Sequence, residues 1–371
     1  MDFEKLARQE ILKVQPYIPG KPVEELQRER GLQSIIKLAS NENPHAPSEA
    51  VLAVLARACR ELNRYPDDSA YHLHRALAAH LGVSEGRLFI GNGSVEILYL
   101  LAQLFVRPGE NLVYATPSFV VYDIVARLSP GEGRPVPCDA DFRHDLPAML
   151  ERVDARTKLV FVCNPNNPTG TYTRADELRQ FIARIPESVL VVVDEAYYEY
   201  VEAPDYPQTL DWLVGHPNLV VLRTFSKIYS LAGLRIGYAI AHPDLLPVLE
   251  RGRPPFNVNS LSQVAALTAL EETERVRRIQ VENSRGRQYL SEQLAALGCR
   301  VLPSQTNFVM AFLPIDAGLA YERLLEQGVI VRPMGSFGSA MNAVRISVGL
   351  EAENHRLIEA MGALLAQRPA S

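Results

Sequence analysis

Cysteine is scarce in this 371-residue chain. The four cysteines, Cys59, Cys138, Cys163 and Cys299, are far apart. No two of them form a Cys-x-x-Cys pair, so neither a zinc site nor a disulfide framework is suggested. Long apolar runs are also missing. No stretch approaches the ~20 residues that a membrane helix needs. The opening residues, Met1-Asp2-Phe3-Glu4-Lys5, are charged and contain no apolar signal core. A cytoplasmic protein with no membrane partner is therefore expected. A basic excess is absent as well: 38 Lys and Arg stand against 43 Asp and Glu, a net charge of −5. Nothing in that balance argues for nucleic acid. Repeats and low-complexity segments are not found. There is no Gly-x-x-x-x-Gly-Lys-Ser/Thr, so a nucleotide P-loop is not supported.

What is present is an ordinary globular composition, 47% hydrophobic and 22% charged. The length suits two domains, or one large domain with an appendage. Residues 1 to 15 read as a short amphipathic helix, broken by the proline- and glycine-rich stretch from Pro16 to Pro22. A short strand follows at Ile35 to Ala39. Helices are expected from Ser48, a plausible N-cap, to Asn63 and from Tyr71 to Leu81. From Leu88 apolar strands alternate with helices. Strands near 88–90, 111–114, 135–138, 158–162, 189–193, 219–223 and 235–241 predict a mostly parallel seven-stranded sheet covered by helices on both faces, an α/β fold. The prolines mark 135–138 as an edge strand. After Arg251 the rhythm changes to a long helical region, Ser260 to Leu297. Strands at 307–312, 328–332 and 343–348 follow, and together these read as a smaller α+β domain.

One stretch, Thr224-Phe225-Ser226-Lys227-Ile228-Tyr229-Ser230, carries unusual chemistry. It follows an apolar strand and places one lysine among hydroxyls and apolar residues. A lone lysine after a strand is commonly a solvated surface group. Here Arg235 returns a second cation nearby, and a cationic neighbour lowers an amine's pKa. A lysine whose amine can be neutral is the type that forms Schiff bases with carbonyls. Upstream, Val189 to Val193 is an apolar strand ending in Asp194. A charge there costs energy unless paired. Capping of a helix is one role for it. Pairing with the ring nitrogen of pyridoxal 5'-phosphate is another.

These features belong to a longer series. Leu38-Ala39-Ser40-Asn41-Glu42-Asn43-Pro44, Tyr65-Pro66-Asp67, Gly91-Asn92-Gly93-Ser94, Asn164 to Gly170, Asp194-Glu195-Ala196-Tyr197, Ser226-Lys227, Arg235 and Val344-Arg345-Ile346-Ser347-Val348-Gly349 occur in this order. In them the chain resembles the fold type I enzymes of the aminotransferase class I/II family, from about residue 17 to about 350. The resemblance implies pyridoxal 5'-phosphate as cofactor and a homodimer. It also implies a large domain over residues 46–250 and a small domain built from 1–45 and 251–371. Ile18 to Pro22 and Phe256 to Ser260 look most like members that act on histidinol phosphate. The expected reaction is then a step of histidine biosynthesis. Its small-molecule partners would be histidinol phosphate, imidazole acetol phosphate, glutamate and 2-oxoglutarate. Aromatic amino-acid transamination and threonine-phosphate decarboxylation stay open as alternatives.

The resemblance also implies roles. Lys227 would bind the cofactor and act as base and acid, and Asp194 would hold the ring nitrogen protonated. Phe119 would stack on the ring. Asn167 and Tyr197 would donate to its phenolic oxygen, although Asn166-Asn167-Pro168 by itself reads as a turn. Gly93, Ser94 and Val95 would hold the phosphate at a helix N-terminus with Thr224, Ser226 and Arg235; a serine-capped helix is the plainer reading of that turn. Val95 stands where many relatives carry Asp or Asn. Tyr65 would reach the neighbouring subunit's phosphate, or simply anchor its own loop. Arg345 would clamp a carboxylate, and Arg332, Tyr17 and Asn259 are candidates for the substrate's distal end. Arg332 also reads as a surface residue at a strand end.

Overall fold

Seven short strands pair into one sheet in the computed structural model, which describes residues 1–8, 11–14, 16, 19–337 and 341–366. A first strand, β1 (Ile36–Lys37), lies apart from it. The sheet is built from β2 (Leu88–Gly91), β3 (Asn111–Thr116), β4 (Glu132–Pro137), β5 (Thr157–Cys163), β6 (Leu190–Asp194), β7 (Leu219–Thr224) and β8 (Gly237–Ile240). Their order is β2-β8-β7-β6-β5-β3-β4. All neighbours pair in parallel except β8, which runs antiparallel to both β2 and β7. The strand with Pro135 and Pro137 is an edge, where a missing N–H breaks no ladder.

Alternation of side chains divides the core in two. Val160, Val162, Val191, Val193 and Val221 face one layer, while Leu159, Phe161, Val192, Val220 and Leu222 face the other. Helices cover both layers, which is why these runs are apolar at every position. Ahead of the sheet come α1 (Val23–Arg30), α2 (Glu49–Ala58) and α3 (Tyr71–Leu81). Ser48 caps α2, its side chain accepting from the Val51 N–H. Between the strands run α4 (Ser94–Phe105), α5 (Val121–Leu128), α6 (Leu146–Glu151) and α7 (Ala175–Arg184). After β8 come α8 (Leu246–Gly252), α9 (Ser260–Leu270) and α10 (Thr273–Ala296).

The remaining chain forms β9 (Arg300–Val301), β10 (Phe308–Phe312), α11 (Ala317–Glu326), β11 (Val329–Ile330), β12 (Arg332–Pro333), β13 (Ala343–Ser347) and α12 (Glu351–Ala366). Four of these strands make an antiparallel sheet, β12-β13-β10-β9, and β11 pairs in parallel with β1. A third apolar cluster joins Leu290 and Leu294 of α10 to Val309, Val344, Ile346 and Leu357, and takes in Ile36 and Leu38 from the N-terminal part.

Three expectations change. Residues 1–15 do not form one helix: the described part holds only single 3-10 turns, Phe3–Lys5 and Ile11–Lys13. Phe3, Leu6 and Leu12 are exposed there, and a short helix without a packed apolar face is marginal in water. The region from 260 to 297 is two helices, broken at Glu271 and Glu272. Ala265, Ala266, Ala269 and Leu270 pack in the large sheet's core, whereas Leu290 and Leu294 pack in the third cluster; one straight rod does not serve both. The expected strand 328–332 is split at Val331, where the chain leaves β1 for β13.

Candidate active site

The parallel strands all end at one edge of the large sheet, and the loops that leave them meet there. This is where ligands of open α/β sheets bind. The loops enclose a cavity of about 270 Å³, lined by Ser94, Val95, Phe119, Cys163, Asn167, Asp194, Tyr197, Thr224, Ser226, Lys227, Arg235 and Arg345, with Ser40 to Glu42 closing it. A larger cleft of about 620 Å³ lies beside His45, Glu282, Tyr289 and His355. It contains neither the lysine nor Asp194, so the smaller cavity is the candidate.

One corner is an anion seat. The turn from β2 into α4 passes through Gly93 at φ 78°, a left-handed conformation that glycine adopts without strain. A Cβ on Gly93 would lie 2.6 Å from the Arg235 guanidinium, and one on Gly237 would lie 2.5 Å from the Ser94 nitrogen. Guanidinium and backbone thus approach as closely as they do because both residues lack side chains. The first N–H groups of α4, at Ser94 and Val95, have no carbonyl partner within the helix, and the Arg235 charge lies alongside. Arg235 Nη1 donates to the Ala232 carbonyl (3.0 Å) and to Ser226 Oγ (3.4 Å). Thr224 Oγ1 accepts from the Ser226 N–H (3.0 Å).

The opposite wall is acidic. Asp194 ends β6, fully enclosed, and burial pushes its carboxyl up to about 6. Tyr122 Oη donates to it (2.9 Å), as does the Ala196 N–H (3.2 Å). Phe119 meets Tyr122 edge-on at 5.7 Å and presents its own ring to the cavity. Between the two walls stands Lys227. Its amine is pulled down to about 8 by burial, then by Arg345, with Arg235 acting in the same direction. Nζ donates to the Asn41 carbonyl (3.1 Å).

The second sheet supplies the lid of this arrangement. Arg345 of β13 is buried, and its Nη1 donates to Asn167 Oδ1 (2.6 Å) while Nη2 donates to the Ala39 carbonyl (2.8 Å). Arg332 is its cross-strand partner in the β12–β13 pairing. Directly opposed residues of an antiparallel pair project from the same face, so both arginine side chains leave the sheet on one side. Tyr197 Oη accepts from Asn41 Nδ2 (2.9 Å), and burial raises the phenol's pKa.

The cavity therefore gathers Ser94, Val95, Phe119, Asn167, Asp194, Tyr197, Thr224, Ser226, Lys227, Arg235 and Arg345, with Gly93 against Arg235. Other candidates lie elsewhere. Asn259 is the N-cap of α9: its Oδ1 accepts from the Ser262 N–H (2.8 Å) and its Nδ2 donates to the Leu234 carbonyl (3.3 Å), beside Arg235. Tyr65 is 81% exposed and stacks on Phe256 at 4.6 Å. Arg332 is buried and is not among the residues that line the cavity. Tyr17 lies outside the described residues. Two lining or supporting residues were not singled out from the sequence. Asn41, left-handed at φ 53°, serves Lys227 and Tyr197 together and is itself held by Ser347 Oγ and Asn307 Nδ2. Its signal was its place inside the Leu38 to Pro44 motif. Tyr122 lies three positions after Phe119, and the two rings meet edge-on where the loop after β3 enters α5.

Taken as chemistry, the residues fit a flat aromatic group carrying a carbonyl and a phosphate. The anion seat, the aromatic face, the enclosed carboxylate and the amine of depressed pKa each meet one part of it. Comparisons agree with that reading. The aminotransferase class I and II family matches residues 33–361. A histidinol-phosphate aminotransferase of Moorella thermoacetica is 46% identical over 97% of this chain and 93% of its own length. Histidinol-phosphate aminotransferase 1 of Nitrosococcus oceani is 44% identical over 98% of both. Among solved structures, histidinol-phosphate aminotransferase from Sinorhizobium meliloti in complex with pyridoxal-5'-phosphate superposes with a TM-score of 0.88 at 30% identity, covering 96% of each chain.

Proposed function

The chain belongs to the aminotransferase class I and II family, and from that premise we propose that it moves an amino group between histidinol phosphate and 2-oxoglutarate, in histidine biosynthesis. Pyridoxal 5'-phosphate is its cofactor; when bound it supplies a carbonyl that captures the amine and a ring that draws off the electrons at the substrate's α-carbon. The residues divide the remaining work. Gly93, Ser94, Val95, Thr224, Ser226 and Arg235 seat the phosphate, and Phe119 lies against the ring. Lys227 anchors the cofactor, and its Nζ then moves the proton at the α-carbon as base and acid. Asp194 holds a proton against the ring nitrogen. Asn167 and Tyr197 meet the phenolic oxygen. Arg345 closes the cavity over the substrate.

The observation that carries the substrate is the pairing of two buried arginines, Arg332 opposite Arg345, on neighbouring strands. One cation suffices for the carboxylate of glutamate. Two suit a phosphate dianion. Tyr17 and Asn259 stay candidates near the distal end. The test is to add histidinol phosphate, phenylalanine and threonine phosphate separately to the cofactor-loaded protein and follow loss of the visible absorbance of the lysine-bound cofactor. Histidinol phosphate is expected to react fastest; a faster reaction with phenylalanine would replace this reading by aromatic transamination.

A two-fold homodimer is part of the same proposal. Leu62, Tyr65, Tyr71 and Phe256 are exposed apolar residues, and Tyr65 would complete the partner's phosphate seat. Sedimentation of a fully active monomer would refute it. We also infer a large body, residues 46–250, and a small one, 1–45 with 251–371, the latter carrying Arg332 and Arg345. With soluble metabolites as substrates, a cytoplasmic location is the natural one. Among the described residues no helix is long and apolar enough to cross a membrane.

A further inference from the structure

The loop that presents Tyr65 is held far more firmly than its exposure suggests. Arg253 grips Asp68 with two parallel bonds, Nη1 to Oδ1 (2.8 Å) and Nη2 to Oδ2 (2.7 Å). Asp68 Oδ1 also accepts the Phe256 N–H (2.6 Å), which fixes Phe256 in a left-handed conformation (φ 56°) that a non-glycine residue rarely adopts. Phe256 in turn stacks on Tyr65, with the ring planes 17° apart. The Arg253 side chain is only 12% exposed. Two parallel bonds fix the relative position of the two groups as well as pairing their charges. On the other side, Asp67 Oδ2 accepts the N–H of Tyr71, the first residue of α3 (2.9 Å).

The clamp does not end there. Arg253 Nη1 also donates to Asn257 Oδ1 (3.3 Å), and Asn257 Nδ2 donates to Glu96 Oε2 (2.6 Å). That Glu96 oxygen accepts the Asn92 N–H (2.7 Å) at the turn that forms the anion seat. An unbroken series of polar contacts therefore joins the seat for the cofactor phosphate to the loop carrying Tyr65. We propose that Glu96, Asn257, Arg253 and Asp68 are positioning residues that anchor the Tyr65 arm to its own subunit's phosphate turn, so that Tyr65 is held ready for the other subunit's cofactor. This rests on the homodimer reading above. Its consequence is that damage to the relay is felt across the interface, at a site the mutated chain does not contain.

Hybrid dimers test it. One chain carries Lys227→Ala, so that only the other chain's Lys227 can be fixed to pyridoxal phosphate by borohydride. The cofactor concentration giving half-maximal fixation is read by mass spectrometry of the Lys227 peptide. Placing Asp68→Asn or Asn257→Ala in the Lys227→Ala chain is expected to raise that concentration roughly ten-fold, as is Tyr65→Phe placed there, with melting temperature and dimer content unchanged. Placing the same changes in the chain whose lysine is read is expected to do much less. Loss confined to the mutated chain's own site, or no loss in either placement, overturns the relay. If Tyr65→Phe acts across the interface and the relay variants do not, the relay alone falls. If Tyr65→Phe itself has no effect across it, the homodimer reading of Tyr65 fails and takes the relay with it. Should Asp68→Asn fail to assemble, Asn257→Ala, which leaves the Arg253–Asp68 pair intact, decides the matter.

Discussion

The amine of Lys227 should titrate near 8 in the cofactor-free protein rather than near the ordinary 10.5. Two causes work together. Burial strips water from the ammonium, and Arg345, then Arg235, add like charge; Glu42 and Asp194 oppose them. The difference corresponds to about 3 kcal/mol against the charged form. At pH 7.5 an amine of pKa 8 is roughly a quarter neutral, whereas one of 10.5 is neutral in only about one molecule per thousand. Capture of a carbonyl needs the neutral amine, so that contrast amounts to a rate advantage on the order of a hundred-fold. The assay is competitive labelling of the protein with a trace of acetic anhydride across pH 6 to 11, followed by mass spectrometry of the Lys227 peptide. Half-maximal labelling is expected near pH 8.

Arg345→Gln separates the two causes. Removing the guanidinium leaves the burial in place and should move the midpoint upward. Inorganic phosphate bound to Arg345 should do the same in the unaltered protein, because an anion there offsets the charge. A midpoint near 10.5 would refute the argument for an activated amine. A midpoint near 8 that ignores both Arg345→Gln and phosphate would assign the whole effect to burial.

Asp194→Asn should leave a folded protein that binds pyridoxal phosphate yet turns over at least a hundred-fold more slowly, since an amide cannot hold the proton; kcat under saturating substrates checks it. Arg332→Ala should raise KM for histidinol phosphate far more than for glutamate, by the equivalent of about 1.5–3 kcal/mol, while Arg345→Ala damages both half-reactions; steady-state kinetics with each substrate varied in turn would return Arg332 to a structural role if the first KM is unchanged. His144 is buried, and burial holds its pKa down at about 4, with Asn166 and then Asp139 pulling the other way. The unfolded chain, with its histidine near 6.5, takes up the proton first, so His144's contribution is complete above about pH 6.5 and is lost as pH falls towards 4. Urea midpoints at pH 7 and pH 5 should differ by less in His144→Gln than in the unaltered protein, and an equal difference would exonerate His144.

Much of this site could be read before any coordinates, and the reasons are physical. Runs such as Val189 to Val193 are apolar at every position because both faces of the sheet are covered, so the strands announced themselves. Ser48 announced a helix start, and the structure has it capping one. What sequence could not carry was contact made by backbone atoms and by register. Asn41 acts on Lys227 through its carbonyl, from a left-handed conformation held by residues some 266 and 306 positions away. Arg332 and Arg345 are neighbours only because β12 and β13 pair at that register. The break between α9 and α10 contains neither proline nor glycine; it reflects which core each half packs against, and local propensity is silent on that.

Arg235 shows most plainly why topology has to be added to motif. It precedes β8 rather than following it, and in a wholly parallel sheet the residue before a strand sits at the edge away from the ligand. A parallel β8 would therefore have carried this guanidinium to the far side of the molecule, a strand length from Gly93. The strand instead runs antiparallel to both its neighbours, so its beginning lies level with the ends of β2 and β7. Gly237 pairs with Gly91 on one side and with Thr224 on the other. Gly93 and Gly237 at that junction let the chain close to the distance at which the Arg235 charge meets the first turn of α4. The reversal of a single strand thus brings a cation to helix N–H groups that already favour an anion, and a seat suited to an anion results where neither element alone would make one.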